Sequence, residues 1–326
     1  MAQAPFTVQP RLTAITLAYR NQAFIADQVL PRMPVDSSSF KWSKYTVADG
    51  FTIPDTRVGR KSKPNEIDWT ATEQTSSTVD YGLDDAIPQA DVQNAQAAQR
   101  TQGVMPIDPE ARSTMLLSEL VALDRENRVA NGSSGVFVLG TYPSANRTTL
   151  SGTSQWSDFT NSDPLSAILS ALDGCLIRPN IAVLGQAVWT KLRTHPKITA
   201  AIYAGGGNAS VAGTAVARQA VADLLELEEV IVGPAWYNSA KPGQTASMAR
   251  LWGKHASFLY RAPVMVSPTG TVTFGFTAQW GDRIAGTIQQ DPNIGLRGGT
   301  RVRVGESVQE VVAANDAAYF FQNAVA

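Results

Sequence analysis

The sequence has one cysteine, Cys175, and two histidines, His195 and His255, among 326 residues. A single cysteine excludes an intrachain disulfide framework and suits a reducing compartment. With so few soft ligands, no Cys/His zinc spacing can be assembled. No window approaches the ~18 consecutive apolar residues of a membrane-spanning helix, so no membrane partner is expected. The first residues, MAQAPFTVQPRL, lack a basic stretch followed by an apolar core, and no secretory leader is expected there. Excess charge of one sign is absent as well: 27 Lys and Arg against 28 Asp and Glu leave a net charge of -1. That balance argues against a dedicated nucleic-acid binder, whose affinity rests on a cationic surface.

Groups able to do chemistry are equally sparse. His195 stands between Thr194 and Pro196 at a helix end, where an imidazole serves the last carbonyls. His255, in GKHAS, reads as structural too. There is no GxSxG elbow for a serine nucleophile. The acidic clusters Asp84-Asp85 and Glu226, Glu228, Glu229 lack a second element to oppose them, and read as solvated surface. The glycine-rich stretch AGGGNASVAGT matches neither phosphate-binding glycine pattern and reads as a flexible loop. No catalytic residue, metal or cofactor is expected.

What is present is a succession of unlike segments, and the length suggests about two domains. Residues 1–38 scatter Phe6, Leu12, Ile15, Leu17, Phe24 and Ile25 between prolines at 5, 10, 31 and 34. A short helix from Thr13 to about Val29, bracketed by extended chain, reads as an arm lying over other structure. Residues 39–82 are rich in Thr, Ser and aromatics, with turn signals at Asp49-Gly50 and Lys63-Pro64-Asn65. They read as a long hairpin or pair of ribbons. Two strands alone are marginal in water, so the hairpin rests either on its own domain or on another surface. It carries the densest cationic patch, Arg57, Arg60, Lys61 and Lys63. That patch is either a solvated loop tip or a contact with acidic groups of a neighbouring copy.

Residues 84–103 read as a polar connection. The clearest helix follows at about 109–130, with Asp108 as N-cap, Pro109 at the first position and Glu110 in the first turn. Leu116, Leu120 and Leu123 recur along it, and Leu117 and Val121 widen the expected apolar face. Asn131-Gly132 stops it, and 135–139 reads as a strand. Asp163-Pro164 repeats the start device before Leu165, Ile168, Leu169, Leu172 and Leu176. In RPNIAVLGQAVWTKLRTHP, from Arg178 to Pro196, a Pro-Asn turn launches a strand at 181–184 and Gly185 ends it. A helix from about Gln186 then presents Val188 and Leu192 until Pro196 stops it. A helix at 214–225, a strand at 229–232 and an alternating strand at 271–280 come next. Short strands are expected at 301–304, 308–312 and 317–321. There is no internal repeat, and the uneven order of elements indicates α+β rather than a doubly wound sheet.

Several of these segments, in order, resemble one family. They are Pro88-Gln89-Ala90-Asp91, Arg125-Glu126-Asn127-Arg128-Val129-Ala130, the stretch GTSQWSDFTNSDPL, the Arg178–Pro196 unit, Val232-Gly233-Pro234-Ala235-Trp236-Tyr237-Asn238 and Leu251-Trp252-Gly253. Over roughly 79–260 the chain is similar to tailed-phage major capsid proteins with the Hong Kong 97 (HK97-like) fold. The resemblance implies an N-terminal arm at 1–38 and an extended loop at 39–82 that lies across a neighbouring subunit. It implies a peripheral domain at 83–160 with a spine helix, an axial domain at 161–289, and C-terminal strands at 290–326 returning to the peripheral domain. It further implies self-assembly into hexamers and pentamers of an icosahedral shell, a virion component assembled in the host cytoplasm. That shell would enclose double-stranded DNA, contacted non-specifically on its inner face. A separate scaffolding protein, a portal and a decoration protein are the other partners it brings to mind. On this reading Arg57, Arg60, Lys61, Lys63, Trp69, Phe6 and Phe24 are the candidate inter-subunit contacts. No motif matches the Lys-Asn isopeptide bond that some relatives form. Two rival readings are an encapsulin-like compartment shell and, from another class, a soluble enzyme holding a phosphorylated ligand at the glycine-rich loop.

Overall fold

The computed structural model describes residues 7–18, 23–45, 53–66, 71–102, 108–203, 215–262 and 272–326. The N-terminal segment supplies β1 (Thr7–Val8), α1 (Pro10–Ala18), α2 (Ala26–Val29) and β2 (Arg32–Val35). The strands β3 (Ser39–Tyr45) and β4 (Ala71–Ser77) pair as an antiparallel hairpin, and β5 (Val79–Pro88) continues β4 after one residue. Next come α3 (Gln89–Gln102), the long α4 (Pro109–Asn131), β6 (Arg147–Thr149) and α5 (Pro164–Asp173). They are followed by β7 (Ile181–Gly185), α6 (Gln186–Leu192), α7 (Pro196–Tyr203), α8 (Arg218–Leu224) and β8 (Glu229–Gly233). A small ribbon of β9 (Trp236–Asn238) and β10 (Met248–Arg250) precedes β11 (Ala256–Leu259). The chain ends with β12 (Gly275–Trp280), β13 (Ile284–Asp291), β14 (Gly299–Val312) and β15 (Ala318–Gln322).

Two sheets organise these elements. The six-stranded sheet is built around β14, with β5 antiparallel along one side and β13 followed by β12 along the other. The N-terminal segment then adds β1 to β13 and β2 to β12. The short strands β1 and β2 of the N-terminal segment thus lie on one edge of this sheet, and β5 forms the other. The five-stranded sheet has the order β6-β15-β11-β7-β8. Its strand β7 is buried throughout because both faces are covered: Ala182 and Leu184 face one core, Ile181 and Val183 the other. A strand covered on both sides reads as an unbroken apolar run, as this one does. The second core also takes in Ile25, Leu30 and Phe274, so it joins the five-stranded sheet to the N-terminal segment and to the chain entering β12.

The long helix begins and ends where the sequence places it. The Asp108 carboxylate accepts from Glu110 N at 3.1 Å, and Gly132 N donates to the Arg128 carbonyl at 2.9 Å. Its buried face, however, differs from the expected one. Leu116 and Leu120 are 53% and 52% exposed, whereas Ser113, Thr114, Leu117, Ser118, Val121, Arg125 and Glu126 are buried. Hydroxyls can be buried here because the helix satisfies them itself: Thr114 Oγ1 donates to the Glu110 carbonyl at 2.8 Å and Ser118 Oγ to that of Thr114 at 2.6 Å.

Other expectations are corrected. The polar connection at 84–103 is the second half of β5 plus α3, because β14 draws the chain into the sheet as far as Pro88. The strand expected at 135–139 is a turn folded onto the helix end, where Val136 N and Phe137 N donate to the carbonyls of Val129 and Ala130. The separate strands at 301–304 and 308–312 are one, β14. The final strand does not return beside it: β15 inserts between β6 and β11 in the other sheet. Conversely, β12 and β13, placed by the sequence with the axial residues, belong to the six-stranded sheet. The described part of the N-terminal arm folds onto its own chain, with Leu12 fully buried against Leu117, Val302 and Val304.

Candidate functional site

The hairpin has an anchored root and an unanchored tip. At the root, Phe40 and Trp42 pack with Met33, Phe276, Ala278 and Val311 on the six-stranded sheet. At the tip every residue from 53 to 66 is exposed, Ile53 to 94%. Local hydrogen bonds shape this segment: Ser62 N donates to the Gly59 carbonyl at 3.0 Å, Asn65 Nδ2 to that of Asp55 at 2.7 Å, and Arg57 N to the Asp55 carboxylate at 2.9 Å. Lys63 pairs with Glu66. Among the described residues, Arg57, Arg60 and Lys61 pair with no carboxylate, so the cationic character of the tip is left open to solvent. Phe24 is half-buried against the second core of its own chain. Phe6 and Trp69 lie outside the described residues.

The N-terminal segment is pinned by buried charge. The Glu126 carboxylate on α4 accepts from Ile25 N and Ala26 N, each at 2.8 Å, and from Trp252 Nε1 at 2.6 Å. Burial pushes this carboxyl up, against the pull of those three donors. Beside it Arg125 pairs with Asp27 and donates to Thr277 Oγ1 at 3.1 Å. Asp27 also takes Arg32 Nε at 2.8 Å, and Arg32 reaches the buried Glu306 at 2.9 Å, which Arg283 holds from the other side at 2.8 Å. Burial alone would raise the Glu306 carboxyl, but the two guanidinium groups outweigh it and hold it below its ordinary range. Sequence reasoning missed this network. Its one local trace, Arg125-Glu126, stands in the charged run Asp124 to Arg128 and looks from sequence like helix surface, and the partners lie about a hundred residues or more away in sequence.

The remaining polar groups are structural. His195 is buried; its Nε2 lies 3.1 Å from Ser162 Oγ and its Nδ1 accepts from Lys197 N at 3.3 Å. The Ser162 hydroxyl donates to the Asp158 carbonyl at 2.6 Å. With that proton committed and Nδ1 already accepting a backbone N–H, the pair caps a turn and does not activate a nucleophile. His255 Nδ1 accepts from Asn323 N at 3.0 Å. Asp84 is chelated by Arg303 through two bonds of 2.6 Å, which hold its carboxyl low. Asp85 accepts from Ser113 at 2.6 Å, and Glu226 and Glu229 pair with Arg178 and Arg261. Among the described residues no three His, Cys, Asp or Glu groups converge on a metal position, and no helix is long and apolar enough to cross a membrane. The glycine-rich stretch at 204–214 lies outside the described residues.

No family model matches the chain. A major capsid protein of Pseudomonas phage JBD67 is 51% identical to it over 326 residues, the whole of both chains. A crystal structure of a phage-related protein from Bordetella bronchiseptica RB50 superposes with a TM-score of 0.73 at 21% identity, covering 99% of this chain and 98% of that one. The capsid structure of Cyanophage P-SCSP1u superposes with a TM-score of 0.55 at 12% identity, covering 99% and 92%. The fold is thus the α+β capsid fold of the HK97 type, and full-length identity of this degree fixes the lineage: the chain belongs to the phage major capsid proteins.

Proposed function

We propose that this protein is the shell-forming subunit of a phage virion, assembling into hexamers and pentamers of an icosahedral capsid around double-stranded DNA. The observation that carries the reading is the full-length 51% identity to a phage major capsid protein. The role is structural rather than enzymatic, in keeping with the committed hydrogen bonds of its histidines and carboxylates. The half built on the five-stranded sheet would be the axial domain facing the capsomer centre. The half holding α4 and the six-stranded sheet would be the peripheral domain, and Arg57, Arg60, Lys61 and Lys63 would meet a neighbouring subunit. Phe6 and Trp69 remain candidates for the same contact. A net charge of -1 suits an inner face that lies near DNA without binding it tightly. A separate scaffolding protein, a portal and a decoration protein would join the shell in the host cytoplasm.

Individual contacts can be weak in such a particle, because each subunit touches many neighbours and closure multiplies them. The test is electron microscopy of the protein expressed alone and of a deletion of Asp49 to Asn65. The full chain should form closed particles. The deletion should stay a folded monomer by circular dichroism and sedimentation, and particles of normal shape from it would overturn the role given to the loop.

A further inference from the structure

We propose that His195 is a pH-sensitive latch: it caps the start of α7, ties it to the loop at 156–163, and opens when its ring takes a second proton. The ring is fully buried, and both of its nitrogens are committed. Ser162 Oγ donates its proton to the Asp158 carbonyl at 2.6 Å, so towards the ring, at 3.1 Å, it can only accept, and Nε2 is the donor. Nδ1 accepts from Lys197 N at 3.3 Å, an N-cap bond of α7 made by an imidazole. The neutral ring with its proton on Nε2 is the form that serves both bonds.

A second proton can go only to Nδ1, the ring atom that holds a lone pair. It sets an N–H against the Lys197 N–H, two donors 3.3 Å apart, and removes the cap. The new charge also stands at the positive end of the α7 dipole. The charged side chains around the ring pull in opposite directions. Lys197, on α7, opposes a second cation, while Asp163, at the start of α5, favours one, and these two already pair at 2.9 Å. In the loop, Asp158 turns its carboxylate to Thr160 N and Asn161 N. Phe159 stands perpendicular to the ring at 5.4 Å, and the Lys191 ammonium of the α6 helix lies 5.6 Å from the Phe159 centroid. Burial, aided by Lys197, outweighs Asp163 and holds the imidazole below its ordinary 6.5. A base held low in the fold contributes stability that is complete above its unfolded value and is lost as pH falls through the folded one.

The reach of the latch is local. Ile198 N, Thr199 N and Thr199 Oγ1 all donate to the His195 carbonyl, so the first turn of α7 is built on this residue. Ile198 is buried in the same core as Trp156, Ile168 and Leu192. Opening therefore loosens α7 against α5 and the loop. The helix α4 and the six-stranded sheet contribute nothing to the latch and stay as they were. Assigning the loosened part to the axial domain rests on the reading of the half built on the five-stranded sheet; the latch itself does not depend on that reading.

The experiment is hydrogen–deuterium exchange of the whole chain from about pH 7.5 to about pH 4.5, with rates corrected for the intrinsic effect of pH. By about pH 4.5 the amides of 197–203 should lose about tenfold in protection, the scale of a lost cap, while those of 113–130 hold. His195→Asn keeps an N-cap acceptor without a titrating ring, and in it the acid loss at 197–203 should vanish. An equal loss in the variant, or none in the wild type, would overturn the latch while leaving shell formation standing. Should the variant not fold, nitrogen-15 spectra of the two wild-type histidines decide. His195 should carry its proton on Nε2 at neutral pH and take a second only below 6.5. A neutral ring protonated on Nδ1, or titration at or above 6.5, is the contrary result.

Discussion

At Glu126 three donors converge on one carboxylate, two from the backbone of the N-terminal segment and one from Trp252. Removing the acceptor leaves those donors buried and unanswered. Glu126→Ala should therefore cost about 3–5 kcal/mol, the range for breaking a buried charged network, read as a shift in the urea midpoint. Glu306 makes a pH statement. Its folded carboxyl titrates below the ordinary value of 4.5 because Arg32 and Arg283 overcome the effect of burial. A depressed acid contributes stability that is complete above its unfolded pKa and is lost as pH falls through the folded one. Wild type and Glu306→Gln should thus differ most near neutrality. The gap should narrow as pH drops below about 4.5, measured by denaturant titration at a series of pH values. A constant gap would show that Glu306 contributes only packing. Cys175, half-buried with its thiol pushed up to about 11, should resist alkylation in the folded protein.

Among the elements, α4 separates two kinds of leucine that one-dimensional periodicity treats alike. Leu117 is buried among Leu12, Val302 and Val304, so Leu117→Ala should cost about 2–5 kcal/mol. Leu120→Ala, on the half-exposed flank, should stay within about 0.5 kcal/mol in the monomer, checked by the same unfolding curves. The boundaries of this helix were legible because caps are local: Asp108, Pro109 and Gly132 act on residues within a turn. Its buried face was not. The partners of that face, Thr16, Ile25, Ala26 and Thr277, come from distant parts of the chain, and a serine or arginine satisfied by them looks from sequence like a surface residue. The strand β7 was legible for the opposite reason, since burial on both faces leaves an apolar run that needs no partner to be recognised. Gly185 was read as a terminator, and the structure adds a cause. A Cβ there would stand 2.3 Å from the Gly253 carbonyl oxygen, so Gly185→Ala should destabilise by about 1–3 kcal/mol through overpacking.

For the whole molecule, the described part of the N-terminal arm lies over its own chain, with Leu12 in a core beside α4 and β14, while residues 53–66 of the loop are exposed. The candidate cations were visible as a cluster, but a cluster alone does not say whether it is bare. The structure shows the hairpin root packed and its tip exposed. Limited proteolysis of the unassembled subunit should therefore cut first between Ile53 and Glu66, leaving two fragments that stay associated through β3, β4 and the shared core. Early cleavage within 7–18 instead would contradict the pinned N-terminal segment.

The two strands nearest the end of the chain each sit inside a sheet: β14 is the axis of one, and β15 lies between β6 and β11 in the other. Translation proceeds from the N-terminus, so a nascent chain made only as far as β13 lacks the strand that joins β5 to β12 and β13 and has neither sheet complete.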